Sequence, residues 1–487
     1  MPPALPKVLF VTSEAFPLIK TGGLADVSGA LPAALHSLGL DIKILLPAYP
    51  GVRDKCGDTK LFAELANPFG SGMVSVWEGH MPDSAVPVLI VAQDAFFNRI
   101  GGPYQKSDGS EWPDNALRFG LLSYVAAWLG SYFEGTWQPD IVHCNDWQTG
   151  LAPGYLRFWS GRKPPSILTI HNLAYQGLFP AENLVPLQLP AESFKMQGVE
   201  FWGNLSFLKA GIVYSDRITT VSPTYAEEIQ HEAVGFGMHG LLHQRRAVLS
   251  GILNGIDESE WNPKSDKHLA HPYDAEHLLL KDKNKAALQQ TLDLAVAPRT
   301  PLIAIISRIT SQKGSDVSLK VMQAMVAEGV QFAILGAGDK ALEQAYLDLA
   351  AAHPGQVSVT IGYDEGLSHR IEAGADMFLM PSRYEPCGLN QMYSQRYGTP
   401  PIAHATGGLV DTIVDATPEN LATGTATGFL FQPMNQASCA AALRKAIQLY
   451  QDQAQWRRIQ LAAMARDFSW TRSAQAYLAL YESLVHA

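Results

Sequence analysis

Short apolar runs alternate with stretches of helical periodicity from one end of the chain to the other. Runs bounded by polar or glycine-rich loops are strands covered on both faces, and their alternation with helices predicts an α/β protein built on parallel sheets. In the first half, strands are predicted at Val8–Thr12, Ile42–Leu46, Val86–Val91, Ile141–Cys144, Ser166–Ile170, Arg217–Val221 and Val248–Leu253. In the second half they are predicted at Leu302–Ile306, Gln331–Leu335, Val357–Ile361, Met377–Met380, Pro401–Ala403 and Gly428–Phe431, separated by helices such as Asp316–Ala327. The longest apolar stretch, Leu121 to Phe133, is interrupted by Ser, Tyr and Gly and predicts a buried helix, being too short to span a bilayer.

The pattern breaks after Asn254-Gly255-Ile256-Asp257 into the Pro-, His- and charge-containing stretch Trp261 to Asp282, a candidate hinge-side connection. Two doubly wound domains are expected, residues 1–257 and 258–470. A last helix, 471–487, has Ser469 as a good cap choice and carries Ala474, Tyr477, Leu478, Tyr481 and Leu484 at helical spacing. It is expected to pack back on the first domain.

Chemistry in such folds sits beyond the carboxyl ends of strands. Thr21-Gly22-Gly23-Leu24-Ala25-Asp26 and Thr406-Gly407-Gly408-Leu409-Val410-Asp411 each stand between an extended and a helical segment. Paired glycines permit close backbone approach, and a following helix turns free N–H groups toward an anion, so both loops are candidate phosphate sites. Lys20 precedes the first loop, and Arg308 and Lys313 follow the first strand of the second domain, which together offers three cations to a diphosphate. Asn145-Asp146-Trp147 and His171-Asn172 end two further strands; Asp, Asn, His and Trp suit sugar hydroxyls and sugar faces, although a lone strand-end histidine is more often structural. The segment Ser382 to Gln391 follows an apolar strand and presents Glu385 on a backbone shaped by Pro386 and Gly388. Its plainer alternative is a carboxylate stabilising a helix start. Leu335-Gly336-Ala337-Gly338-Asp339 lacks the third glycine of a dinucleotide fingerprint, and its acidic residue comes too early, which argues against a dehydrogenase.

The composition narrows the partners. A formal net charge of -10 argues against a sequence-independent nucleic-acid binder and leaves a neutral polymer as a candidate. Cys56, Cys144, Cys387 and Cys439 form no C-x-x-C pair, so neither a zinc site nor a disulfide framework is expected. Met1 to Pro6 runs straight into Val8-Leu9-Phe10-Val11 without the parts of a signal peptide, and a cytoplasmic location is expected.

Taken in order, K-T-G-G-L at Lys20 to Leu24, N-D-W at Asn145 to Trp147, His171-Asn172, N-G-I-D at Asn254 to Asp257, Arg308 with Lys313, E-P-C-G-L at Glu385 to Leu389 and T-G-G-L at Thr406 to Leu409 make the chain resemble the bacterial glycogen synthases and plant starch synthases over almost all its length. The resemblance implies the GT-B fold, two Rossmann-like domains facing a deep interdomain cleft, with the acceptor side N-terminal and the nucleotide-sugar side C-terminal. It implies ADP-glucose as donor, glycogen or another α-1,4-glucan as acceptor, and retention of anomeric configuration through either a covalent glycosyl-enzyme or a front-side exchange. No cofactor, metal, nucleic acid or membrane is implied, and no oligomeric state is specified.

Carried over by the resemblance, Arg308 and Lys313 stabilise the leaving ADP electrostatically, in place of a metal. Gly23 and the amides of Gly388 and Leu389 hold phosphate oxygens, and Glu385, Asp146, His171 and Asn254 surround the transferred glucose. Tyr363 lies beside adenine. Lys20, Gly22, Asn172, Cys387, Thr406, Gly407 and Gly408 complete the substrate site. Cys387 is expected to be a reactive thiol that the donor protects from alkylation, the alternative being a small spacer. Two positions depart from related patterns: Tyr393 stands where related retaining transferases often carry a second Glu, and Gln148 where family members often carry His. A phosphorylase with lysine-linked pyridoxal phosphate and a catalytically silent glycan-binding protein are the competing readings.

Overall fold

The computed structural model describes residues 5–485; residues 1–4, on which the reading of the amino terminus partly rests, and the last two residues of the predicted terminal helix lie outside them. The chain divides into two compact units, one made of residues up to Gly255 together with those from Trp470 onward, the other of Ile256–Ser469. Each is an α/β unit with a largely or wholly parallel sheet.

The N-terminal unit contains β1 (Lys7–Val11), β2 (Asp41–Pro47), β3 (Lys60–Ala66), β4 (Met73–His80), β5 (Pro87–Ala92), β6 (Ile141–Asn145), β7 (Ser166–Ile170), β8 (Leu178–Pro180), β9 (Glu200–Phe201), β10 (Asn204–Ser206), β11 (Arg217–Thr220) and β12 (Leu249–Gly251). Its main sheet runs β12-β11-β7-β6-β1-β2-β5-β4-β3, with β1 central and Val8 opposite both Ile42 and Ile141. Val8, Leu9, Phe10 and Val11 are wholly buried, as strands covered on both faces must be. The apolar helix Asn115–Ser131 supplies part of that cover.

The sheet is not purely parallel. β4 pairs antiparallel to both β3 and β5, and β8, β10 and β9 form a separate antiparallel sheet. The β3–β4 hairpin escaped the sequence pattern because it lies at the edge: the face of β3 alternates with exposed positions, and Lys60 pairs with Glu78 at 2.9 Å. Charge and a register shift between Leu61 and Ala63 blunt that edge against further pairing.

The helix Trp470–Val485 is part of this unit. Its buried Trp470, Ala474, Tyr477 and Tyr481 join Val8 and Phe10 of β1 and Val27, Leu31 and Leu35 of the helix Gly23–Ser37 in one apolar cluster. His143 of β6, fully buried, is hydrogen-bonded through Nδ1 to the Tyr481 hydroxyl and through Nε2 to the Thr169 hydroxyl, both at 2.7 Å. Burial lowers its pKa from 6.5 to about 3, so the ring is neutral. A ring that titrates near 6.5 when unfolded and near 3 when folded contributes stability above the first value that is lost as pH falls toward the second. Tyr481→Phe is expected to leave a buried ring nitrogen unpaired and to cost about 1–3 kcal/mol in urea unfolding. A shift too small to measure would remove this bond from the account of how the last helix is held.

The C-terminal unit contains β13 (Leu302–Ile306), β14 (Gln331–Gly336), β15 (Val357–Ile361), β16 (Met377–Met380), β17 (Pro401–His404) and β18 (Phe429–Phe431), all parallel, in the order β15-β14-β13-β16-β17-β18. The glycines of Gly336-Ala337-Gly338 serve close packing here: a Cβ on Gly336 would meet the Ser307 carbonyl oxygen at 1.9 Å, and one on Gly338 that of Ile309 at 2.2 Å. Asp339 then caps the next helix, Lys340–Ala352. The stretch after Asn254 is not a solvated connection. Trp261, Leu269, Tyr273 and Leu278 are buried with Ala373, Tyr397 and Met464, and Lys285 of the helix Lys281–Thr291 pairs with the buried Asp376 at 2.6 Å.

Candidate active site

In the N-terminal unit, the ends of β1, β6 and β7 carry the polar side chains. Past β1 comes Glu14, 3% exposed, whose Oε2 accepts the backbone N–H of Thr21 at 2.5 Å and of Gly22 at 3.2 Å. Its Oε1 accepts the Tyr104 hydroxyl at 2.7 Å. Burial raises the Glu14 pKa, and these donors oppose the rise. Two backbone amides of the loop read as a candidate phosphate site are therefore bonded to an internal carboxylate. Lys20, expected to reinforce them, pairs instead with Asp26 at 2.7 Å and lies over the Phe16 ring. Gly22 and Gly23 are exposed, with nothing within 4 Å of where a Cβ would stand, and the helix begins at Gly23 with no side-chain cap.

Past β6, Asp146 is held at φ 57°, a backbone conformation costly for a non-glycine residue. Its Oδ1 accepts the His171 N–H at 2.7 Å. Burial pushes its pKa up to about 7, against the pull of the His171 and Asn172 backbone donors. Asn145 donates from Nδ2 to the Val11 carbonyl at 3.0 Å, which turns its Oδ1 to His171 Nε2, also at 3.0 Å. Because burial lowers the His171 pKa to about 3, the ring is neutral, with Nε2 protonated toward Asn145 and a lone pair on Nδ1. His171 thus accepts, rather than donates, a hydrogen bond at that nitrogen. Asn172 uses its Oδ1 to accept the Ala174 N–H at 3.1 Å, and Asn254 lies buried close to the end of the unit's main stretch of chain.

In the C-terminal unit the turns after β13, β16 and β17 form one construction. Gly314, at φ +70°, lets the turn before the helix Ser315–Ala327 come so near β16 that a Cβ would meet the Pro381 carbonyl oxygen at 1.9 Å. That approach brings Lys313 Nζ to Glu385 Oε2 at 2.5 Å, and the same oxygen accepts the Ser382 hydroxyl at 2.9 Å. Glu385 is 5% exposed and lies well before the helix Asn390–Arg396, so it stabilises an ammonium rather than a helix start. Arg308 donates to Gln312 Oε1 at 2.8 Å, and the Gln312 carbonyl accepts the Arg383 N–H at 2.8 Å.

The second T-G-G-L loop packs against the same construction. A Cβ on Gly407 would meet the Glu385 carbonyl oxygen at 2.0 Å, and one on Gly408 that of Cys387 at 2.2 Å. The Gly408 N–H donates to the Glu385 carbonyl at 3.1 Å. These glycines, expected to approach a ligand, approach the backbone carrying Glu385, and Thr406 precedes them as the cap position of the helix Gly407–Thr412. Cys387 is buried, 4% exposed, so the accessible thiol expected from sequence is not presented. Gly388 takes φ +72°, and Gln391 donates to the Cys387 and Gly388 carbonyls at 3.0 and 2.9 Å. Leu389 follows as the cap position of Asn390–Arg396. Tyr363 is 73% exposed on the turn after β15. Tyr393 stacks on Trp261 with ring centroids 3.8 Å apart.

Sequence reasoning missed Glu14 and Tyr104. Glu14 lies three residues past the end of β1, so the strand-end rule points to it as it does to the others. Tyr104 lies in an irregular loop whose course no periodicity gives. Among the described residues, no helix is long and apolar enough to cross a membrane.

The chain matches the family model described as starch synthase catalytic domain over residues 7–244 and that described as glycosyl transferases group 1 over residues 291–460. It is 52% identical to a glycogen synthase of Paramagnetospirillum magneticum, with 98% of this chain and 97% of that protein covered. It is 51% identical to a glycogen synthase of Nitrosomonas eutropha, with 98% and 96% covered. Among solved structures, the catalytic domain of starch synthase IV from Arabidopsis thaliana, bound to ADP and acarbose, is similar with TM-score 0.88 and 32% identity, over 99% of this chain and 100% of that one. A sucrose-phosphate synthase from Thermosynechococcus elongatus, at TM-score 0.58 and 17% identity over 99% of both chains, shares the fold.

Proposed function

Given that the chain belongs to the glycogen and starch synthase family of glycosyltransferases, we propose that it transfers glucose from ADP-glucose to the nonreducing end of an α-1,4-glucan with retention, releasing ADP. The observation that carries the reading is the Lys313–Glu385–Ser382 arrangement, built on the carboxyl side of a parallel sheet with Arg308 on the same strand-to-helix turn. An ammonium and a guanidinium presented from one rigid turn suit a diphosphate, whose developing charge they stabilise as the bond from glucose C1 to phosphate oxygen breaks and its electron pair passes to the leaving group. The acceptor hydroxyl then bonds to C1, and its proton passes to the departing ADP. Glu385 is assigned to the sugar and to positioning Lys313, and Gly388, Leu389 and the Thr406–Gly408 loop to the donor.

In the N-terminal unit, the neutral His171, with its lone pair on Nδ1, is assigned to a sugar hydroxyl, and the Asp146 carboxyl to another. The proposed reaction needs no metal, and the proposed location is the cytoplasm. The test is incorporation of labelled glucose into glycogen from ADP-glucose and, separately, UDP-glucose, with a chelator present. Rapid transfer from ADP-glucose that survives chelation is the expected result. Absence of transfer from either donor, by a folded protein, would replace this reading with a silent glycan binder.

A further inference from the structure

Glu260, on the turn before Trp261, and Glu365 and His369, one helical turn apart at the start of the helix Glu365–Gly374, belong to none of the motifs above, yet one donor atom from each lies within 4.8 Å of the others. Their spacing on the helix puts Glu365 and His369 on one face. The histidine is what distinguishes this group from a chance meeting of surface acids. It is 1% exposed, its ring is stacked on Trp261 with centroids 3.9 Å apart, and its Nδ1 is held by Asp266 Oδ2 at 2.7 Å. The same Asp266 oxygen accepts the Tyr397 hydroxyl at 2.6 Å, which fixes the carboxylate as acceptor and places the Nδ1 proton between the pair. Nε2, the remaining nitrogen, is buried without a hydrogen-bond partner, and the ring that carries it is the one that meets the two carboxylates.

A carboxylate on one ring nitrogen that fixes tautomer and orientation while the other faces further ligands is how proteins prepare a metal-binding histidine. We propose that His369 Nε2 and the carboxylates of Glu260 and Glu365 bind a divalent transition cation of the Zn²⁺ type. One imidazole with two carboxylates suits Zn²⁺ better than Mg²⁺, which takes oxygen ligands in a near-octahedral shell. Bonds of about 2.0–2.2 Å set neighbouring ligand atoms roughly 3–4 Å apart, so atoms now within 4.8 Å of one another must draw in around the ion, with Glu260 exposed and Glu365 half-buried. Glu365 also accepts the Tyr363 hydroxyl, and a carboxylate has a second oxygen for the ion. The four cysteines are all buried and none belongs to the group. The site involves none of the residues assigned above to the diphosphate.

The test is calorimetric titration of the full chain, stripped with chelator and dialysed, with Zn²⁺ alone. One saturable site is expected, undiminished by Mg²⁺ at the same concentration. Glu260→Gln and Glu365→Gln, which change surface-reaching side chains in a protein whose fold is checked by its melting curve, are each expected to weaken binding at least about 10-fold. Absence of saturable uptake, uptake that Mg²⁺ abolishes, or uptake that the double variant retains would overturn the assignment.

Discussion

Lys313→Ala is expected to lower turnover about 10²–10³-fold, the usual penalty for removing one preorganised group that faces developing charge. The ammonium is held 2.5 Å from Glu385, in a pair whose side chains are only 19% and 6% exposed, so the variant also leaves a nearly buried carboxylate without its counter-charge. The fold should survive because the sheet beneath rests on an apolar core to which neither side chain belongs. Glu385→Gln separates the two effects, since it keeps a hydrogen-bond acceptor for Ser382 and removes the charge. Turnover measured well below each variant's melting temperature is the relevant quantity. A Lys313→Ala enzyme as fast as the parent would mean that the diphosphate is bound elsewhere.

The two T-G-G-L loops should respond oppositely to a single methyl group. In Gly407→Ala the new carbon would stand 2.0 Å from the Glu385 carbonyl oxygen, at φ +46°. The backbone conformation alone costs about 1–3 kcal/mol for a residue other than glycine, and the collision adds to it by pushing Glu385 off its place. A clear fall in melting temperature and loss of most activity are expected. In Gly22→Ala the carbon enters open space from an extended backbone at φ -154°, and stability should hardly change. Any loss of turnover there would report on a ligand approaching the loop. Equal destabilisation by both substitutions would contradict the packing described for the second loop.

These loops also show what was legible in the sequence. Their resemblance to one another correctly indicated two helix starts, at Gly23 and Gly407. The reason for the glycines was not legible, because it depends on which backbone lies opposite, and in one case that is a turn more than twenty residues earlier. Parallel strands such as Ser166–Ile170 and Leu302–Ile306 were readable to the residue, since burial on both faces leaves an unbroken apolar run. The β3–β4 hairpin was not, because an edge strand mixes exposed and buried positions. The positions of Asp146, His171, Lys313 and Glu385 beyond strand ends were visible as polar residues after apolar runs. The ion pair of the last two, the protonation of His171 and the meeting of Glu260 with His369 required coordinates, for each joins residues that no local pattern relates.

The assignment of the helix Trp470–Val485 to the N-terminal unit has a consequence for synthesis. Val8 and Phe10 are made before Ile256–Ser469, and Trp470, Ala474, Tyr477 and Tyr481, which share their apolar cluster, are made after it. At about 5–20 residues per second, the intervening 214 residues of Ile256–Ser469 take roughly 10–40 s to be made. Through that interval the nascent first unit carries an uncovered apolar patch, and the second unit can finish folding before the first. Chaperone dependence during translation, and solubility loss on removing the helix Trp470–Val485, should accordingly be traits of the N-terminal unit.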